Sequence, residues 1–193
     1  DYWNVYGLGN RGSSKDLVFK NWGEVNTIPE GAKLVSYGMD FGFTADPTTL
    51  IGTWLYDGSL YIKELIYQKG LHNSDISNML QALGIDKRAE IYCDSSEPKT
   101  IDELYRFGWN CKPTAKGPDS ITAGIDMIRR YPLKITSDSI NLIKELRNYK
   151  YAKDKNERVT NYPIDAFNHC CDALRYSTFN SLNNPNKGKY NLM

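Results

Sequence analysis

The sequence has no apolar run near the ~20 residues that a membrane-spanning helix needs, and no charged-then-apolar leader of the kind removed on export. Neither membrane spanning nor export is supported. Cysteine is scarce, at four residues, and no CxxC pair occurs: Cys93 and Cys111 stand apart, and Cys170 and Cys171 are adjacent. Only two histidines could complete a tetrahedral set, so the cysteines read as reduced, mostly buried thiols of a cytosolic protein rather than a zinc site. Excess charge is missing too. Lys and Arg number 24 against 23 Asp and Glu, for a net charge of +1, so any nucleic-acid contact must come from a local basic patch. The glycine-rich Gly7–Gly12 stretch, GLGNRG, lacks the GK[ST] that would make it a phosphate-cradling loop.

What the sequence does have is the composition of a globular domain, 40% hydrophobic and 24% charged. Residues 1–31 are rich in Gly, Asn and Ser and lack a period, apart from a short strand candidate at Leu17-Val18-Phe19. They read as a linker from a preceding domain, consistent with a chain that opens on Asp1 rather than Met. The domain proper is expected over 32–180 and a polar tail over 181–193. Three β-rich runs, Lys33–Asp40, Thr48–Tyr56 and Ser59–Tyr67, come first, the last two joined by the hairpin signal Asp57-Gly58. Helices and short strands then alternate: helix 72–84, strand AEIYCD, helix EPKTIDELYRFG, strand WNCKPT, helix PDSITAGIDMIRRY, strand LKITS and helix SINLIKELRNY. A polar-tipped hairpin at 149–162 and a last helix over 164–180 complete the pattern. Three meandering strands followed by β/α alternation predict an α/β fold, a ribonuclease-H-like mixed β-sheet flanked by helices on both faces.

Two of these strands end on an acid. Lys33–Asp40 ends on Asp40, and AEIYCD ends on Asp94. An apolar strand rarely stops on a buried carboxylate without a partner for it, because an unpaired buried charge is costly. The last helix adds Asp172, with Asp165 and His169 before it at i, i+4, i+7 spacing on one expected face. Taken singly, each has a plainer role. Asp40 can be a turn acid, Asp94 can cap the next helix, Asp172 can pair with Arg175, and His169 can be a structural histidine. Together they supply the oxygen ligands that Mg²⁺ or Mn²⁺ prefers. Two such ions about 3.5–4 Å apart can serve both the attacking and leaving oxygens of a phosphodiester. Asp40 would bridge, and His169 would orient a ligand or move a proton. Asp46-Pro47 reads as a turn and Glu97 as first-turn helix electrostatics. For DNA phosphates the candidates are Lys112 and Lys116, between strand and helix, and Lys150, Lys153, Lys155 and Arg158 on the hairpin.

Taken together and in order, YGMDFG, IYCDSSEPKTIDELYRFGWNCKPTAKGPDSITAGIDMI and NHCCDALRY resemble the nuclease domain of the large terminase subunit of tailed bacteriophages. The resemblance covers roughly Lys33 to Phe179. It implies a ribonuclease-H-like fold and cleavage of concatemeric DNA during packaging with Mg²⁺ or Mn²⁺. By the same resemblance, Asp40, Asp94 and Asp172 match the metal-binding acids, His169 a histidine near the metals, and Lys116 a substrate-facing lysine. The implied partners are double-stranded DNA, an ATPase domain of the same full-length chain, the small terminase subunit and the portal, in the cytoplasm of the bacterial host. The family's hairpin near the active site would be Lys150–Thr160. The alternatives are a structure-selective nuclease of the same fold, of resolvase type, and a non-catalytic DNA-binding or docking module.

Overall fold

The computed structural model describes residues 16–182 except 116 and 118. Its elements run β1 (Trp22–Val25), β2 (Lys33–Asp40), β3 (Thr48–Tyr56), β4 (Ser59–Gln68), α1 (Asn73–Ala82), β5 (Ile91–Cys93), α2 (Pro98–Arg106) and β6 (Cys111–Pro113). Then come α3 (Ser120–Arg129), β7 (Leu133–Thr136), α4 (Ile140–Asn148), the hairpin β8 (Tyr151–Lys153) and β9 (Val159–Pro163), and α5 (His169–Leu182). Asp57 and Gly58 both take positive φ, 45° and 69°, the turn geometry whose twist suits a tight hairpin. Tyr56 and Ser59 pair on either side of it.

Seven strands form one mixed sheet in the order β1-β7-β4-β3-β2-β5-β6. The β2-β3-β4 meander is antiparallel, while β5 runs parallel to β2 and β6 parallel to β5. Helices cover both faces, each over its own apolar cluster. On one side Ile62, Ile128, Leu142, Leu146 and Leu174 pack beneath α3, α4 and α5. On the other, Met39, Leu50, Ile76, Ile91 and Leu104 pack beneath α1 and α2. Burying each such side chain contributes about 1.5–3 kcal/mol, so the sheet is stabilised from both sides.

Strands β5 and β6 and helices α3 and α4 are each a residue or more shorter than the sequence expectation, and three further differences bear on the fold and the site. First, Trp22–Val25, inside the segment expected to be an aperiodic linker, forms an edge strand parallel to β7. Ahead of it, Val18 and Phe19 are buried in the core, while Leu17 makes only an isolated bridge to Lys150. A four-residue strand without alternation leaves no local period to read, and its partner lies far along the chain. Second, α5 begins at His169, so Asp165 is not on its face. Phe167 takes φ 56°, which breaks any helix started earlier. Asp165 instead accepts a hydrogen bond from Asn168 Nδ2 at 3.0 Å. Third, α5 extends to Leu182, past the expected boundary at 180. The expected linker residues 1–15, the tail residues 183–193 and Lys116 lie outside the described residues.

One approach positions the rest. Helix α5 crosses β2 so closely that a Cβ on Gly38 would stand 1.8 Å from the Ala173 carbonyl oxygen and 2.9 Å from Ser177 N. A polar seam locks the same crossing: Ser36 Oγ donates to Ser177 O at 2.9 Å, and Thr53 Oγ1 and Ser177 Oγ share a hydrogen bond of 2.9 Å. Gly38→Ala should therefore push α5 off the sheet. Its urea midpoint is expected to fall by the equivalent of about 3 kcal/mol, the upper part of the range for overpacking, because the obstructing atoms are backbone.

Candidate metal centre

Asp40 ends β2, and the parallel strand β5 delivers Asp94 beside it, with Asp94 N donating to Met39 O at 3.2 Å. Asp172 comes from the first turn of α5, next to the Ala173 that packs on Gly38. Three acids remote in sequence thus meet at one end of the sheet. Their side chains differ in setting. Asp40 is 13% exposed and Asp172 20% exposed, and Asp94 is partly buried.

The electrostatics register the meeting. Burial, joined by repulsion from Asp172 and Asp94, raises the Asp40 carboxyl from 3.8 to about 6, against the hydrogen bond and charge of His169. Burial also raises Asp172, with Arg175 pulling the other way and Asp94 adding to the rise. Charges held in water would barely feel one another, so this coupling requires a partly desolvated cluster.

Each acid also has a partner within the protein. Asp40 Oδ2 lies 3.2 Å from His169 Nδ1. Asp94 caps its own turn, accepting from Ser96 N at 2.9 Å and Ser96 Oγ at 2.7 Å. Asp172 Oδ1 accepts from an Arg175 guanidinium nitrogen at 2.9 Å, and Arg175 is itself only 8% exposed. With the oxygens turned to these partners, no three His, Cys, Asp or Glu side chains among the described residues converge tightly enough to enclose an ion. The donor set nonetheless fits a hard divalent cation. It is all oxygen, carries more negative charge than the local cations offset, and is strained by its own repulsion.

The sequence reading missed Asp46, taken there as a turn residue. Its Oδ1 stands 3.6 Å from His169 Nε2, so the imidazole has a carboxylate on each side. The hydrogen bond to Asp40 raises the His169 pKa, burial opposing. The loop carrying Asp46 is pinched shut by Thr48, whose Oγ1 donates to Gly42 O at 2.7 Å and accepts from Gly42 N at 3.2 Å. No local pattern announces this arrangement; it exists only once α5 docks.

The basic candidates sort unevenly. Lys112 is paired with Glu90 at 2.8 Å. Lys153 reaches Glu157 at 3.2 Å within the exposed hairpin. Lys150, Lys155 and Arg158 are exposed. The hairpin is tied at its base, Tyr151 N donating to Asp16 O at 2.9 Å and Ile164 N to Lys150 O at 2.9 Å. Lys116 follows Ala115, whose N–H is held by Asn180 Oδ1 of α5 at 3.0 Å.

Known proteins share this arrangement of elements. The nuclease domain of the large terminase of bacteriophage SPP1, solved with bound Mn, superposes with a TM-score of 0.72 at 23% identity, over 84% of this chain and 97% of that one. The large terminase nuclease of thermophilic phage G20c, solved with bound magnesium, gives a TM-score of 0.58 at 19% identity, over 79% and 84% of the two chains. In sequence, the large terminase subunit of Bacillus phage SPP1 is 32% identical over 157 residues, 74% of this chain but 35% of that protein. The fold is therefore that of the ribonuclease-H-like terminase nucleases. The family model of the terminase RNAseH like domain matches residues 40–179, from the first of the clustered acids to the penultimate turn of α5, and the chain belongs to that family.

Proposed function

We propose that this chain is a divalent-metal-dependent endodeoxyribonuclease that cuts concatemeric viral DNA during genome packaging, hydrolysing phosphodiesters with two ions of Mg²⁺ or Mn²⁺. The observation that carries this reading is the convergence of Asp40, Asp94 and Asp172, delivered by β2, the end of the neighbouring parallel strand β5 and the first turn of α5, at one end of the sheet; the upward shift of the Asp40 carboxyl agrees with it. A fold does not place three repelling carboxylates at one desolvated sheet end without cost, and such perturbed clusters concentrate at functional sites. The metals bound to two of the family's nuclease domains, Mn in one and magnesium in the other, support the same reading.

Asp40, Asp94 and Asp172 would hold the ions, and Asp46 stands beside His169 next to them. Ions bound there would neutralise charge developing on the scissile phosphate and make water a competent nucleophile near neutral pH. The chain's own residues do the rest. Arg175 opposes the burial that raises the Asp172 carboxyl and fixes its direction. His169, between Asp40 and Asp46, holds a proton that it can pass at the site. Lys150, Lys153, Lys155 and Arg158 on the hairpin would meet phosphates, with Lys116 as a further contact. Lys112 would contribute less, because Glu90 already holds it.

The chain spans about a third of the length of the curated relatives it matches. The same reading makes residues 1–31 the approach from an ATPase domain, its later part packed on the sheet through Val18, Phe19 and β1. It also assigns double-stranded DNA, the small terminase subunit and the portal as partners, in the bacterial cytoplasm. Among the described residues no helix is long and apolar enough to cross a membrane.

Asp40→Asn is expected to reduce nicking of supercoiled plasmid in Mn²⁺ by about 100-fold or more. Unchanged cleavage would refute the nuclease assignment. A wild-type protein that binds DNA but cuts under no divalent ion would instead be a docking module.

A second expectation concerns pH. The folded Asp40 carboxyl sits above its ordinary value, so the folded state binds the proton more tightly than the unfolded chain. Its stabilising contribution is complete below about pH 4 and is lost as pH rises through about 6. In chelator, wild type should lose on the order of 2 kcal/mol relative to Asp40→Asn across that window, read from denaturant midpoints. Added Mn²⁺ should restore stability at pH 7 and do little at pH 5, where protons compete for the same oxygens.

A further inference from the structure

The first turn of α5 carries both His169 and Asp172, and a helix start leaves its N–H groups without intrahelical partners. Asn168, the residue just before the helix, is of the type that caps such a start. Its side chain does not do so; its amide is turned back to Asp165. The donors are taken by a residue from another helix. Glu145, on α4 and 3% exposed, accepts hydrogen bonds from Cys170 N at 2.8 Å and Cys171 N at 3.1 Å through the same oxygen, Oε2. From the sheet side, Thr49 Oγ1 donates to the His169 carbonyl at 3.2 Å. Glu145's other oxygen, Oε1, is buried with no hydrogen-bond partner among the described residues.

A buried carboxylate with one oxygen unused is a poor way to gain stability. An apolar side chain of the same size would fill the space without the desolvation penalty. What the carboxylate supplies instead is a remote acceptor aimed at the helical turn that presents His169 and Asp172.

We propose that Glu145 is a positioning residue. It fixes the N-terminal turn of α5 and thereby sets where His169 and Asp172 stand against Asp40. It hydrogen-bonds to the backbone of Cys170 and Cys171 rather than to these side chains, and acts through that backbone. This inference rests on the metal-nuclease reading for its functional consequence, but not for its mechanical one.

The test separates acceptor from bulk. Glu145→Gln keeps an oxygen for both N–H groups. Burial already pushes the Glu145 carboxyl up to about 7, against the pull of the Cys171 and Cys170 N–H donors, so a neutral amide is a fair replacement. Glu145→Met has similar length and removes the acceptor without opening a cavity. Ile101→Val, on the opposite face of the sheet, serves as a variant that only loosens packing.

In the folded proteins, Mn²⁺ affinity measured by titration should fall about tenfold or more in Glu145→Met. It should stay close to wild type in Glu145→Gln and in Ile101→Val, whatever their melting temperatures. Amide exchange at Cys170 and Cys171 should accelerate in the Met variant alone. Wild-type affinity and exchange in Glu145→Met, or a Gln variant as impaired as Met, would overturn the proposal. If wild type and Asp40→Asn bind Mn²⁺ equally, the metal reading fails on its own account. Amide exchange then decides the mechanical claim alone: protection lost in Met and kept in Gln supports it, and any other pattern refutes it.

Discussion

The contact between the α5 backbone and Gly38 is the constraint on which everything at the site depends. Helix and strand touch there without side chains between them, and the polar seam from Ser36 and Thr53 to Ser177 leaves little freedom to slide. Asp172 is one residue from that contact on the helix, and Asp40 is two residues from it on the strand. Their repulsion is therefore imposed by packing and cannot be relieved by drifting apart. Neighbouring α3 shows a related economy: a Cβ on Gly124 would lie 2.5 Å from Arg175 Cγ, so its absence lets the arginine pass beside the helix toward Asp172.

On the proposed metal reading, the internal partners of the acids describe a site held in readiness. Arg175, Ser96 and His169 each occupy oxygens that a hard cation would claim. None of these contacts is a rigid cage. Ser96 is exposed, and the histidine can surrender its hydrogen bond as its charge changes. The protein thus tolerates its own charge cluster by lending each carboxylate a modest partner. Three buried acids with none would strain the domain far more.

Much of this was legible in the sequence where the signal is local. The Asp57-Gly58 hairpin, the strand that ends on Asp40, the strand that ends one residue before Asp94, and the helix stops at Gly84 and Gly108 carry their cause within a few residues, and the structure reproduces them. The failures share a different character. Strand β1 exists because β7 offers it a ladder. Asp46 faces His169 only after α5 has docked, and Glu145 meets the start of α5 only across the contact between two helices. The i, i+4, i+7 face that included Asp165 assumed a helix running back to Ile164, yet Phe167 adopts left-handed backbone and the helix starts after it. Periodicity reports what a segment prefers alone and says nothing of what a distant segment will ask of it.

The four cysteines end as an unexpected asset. Cys93 and Cys111 belong to the cluster under α1 and α2, Cys170 and Cys171 to the cluster under α3, α4 and α5, and all four are buried. Burial raises the thiols of Cys93, Cys170 and Cys171, which suppresses the reactive thiolate. An alkylating reagent thus meets silent sulfurs until a layer lifts, and the pair it modifies first names the side of the sheet that opened.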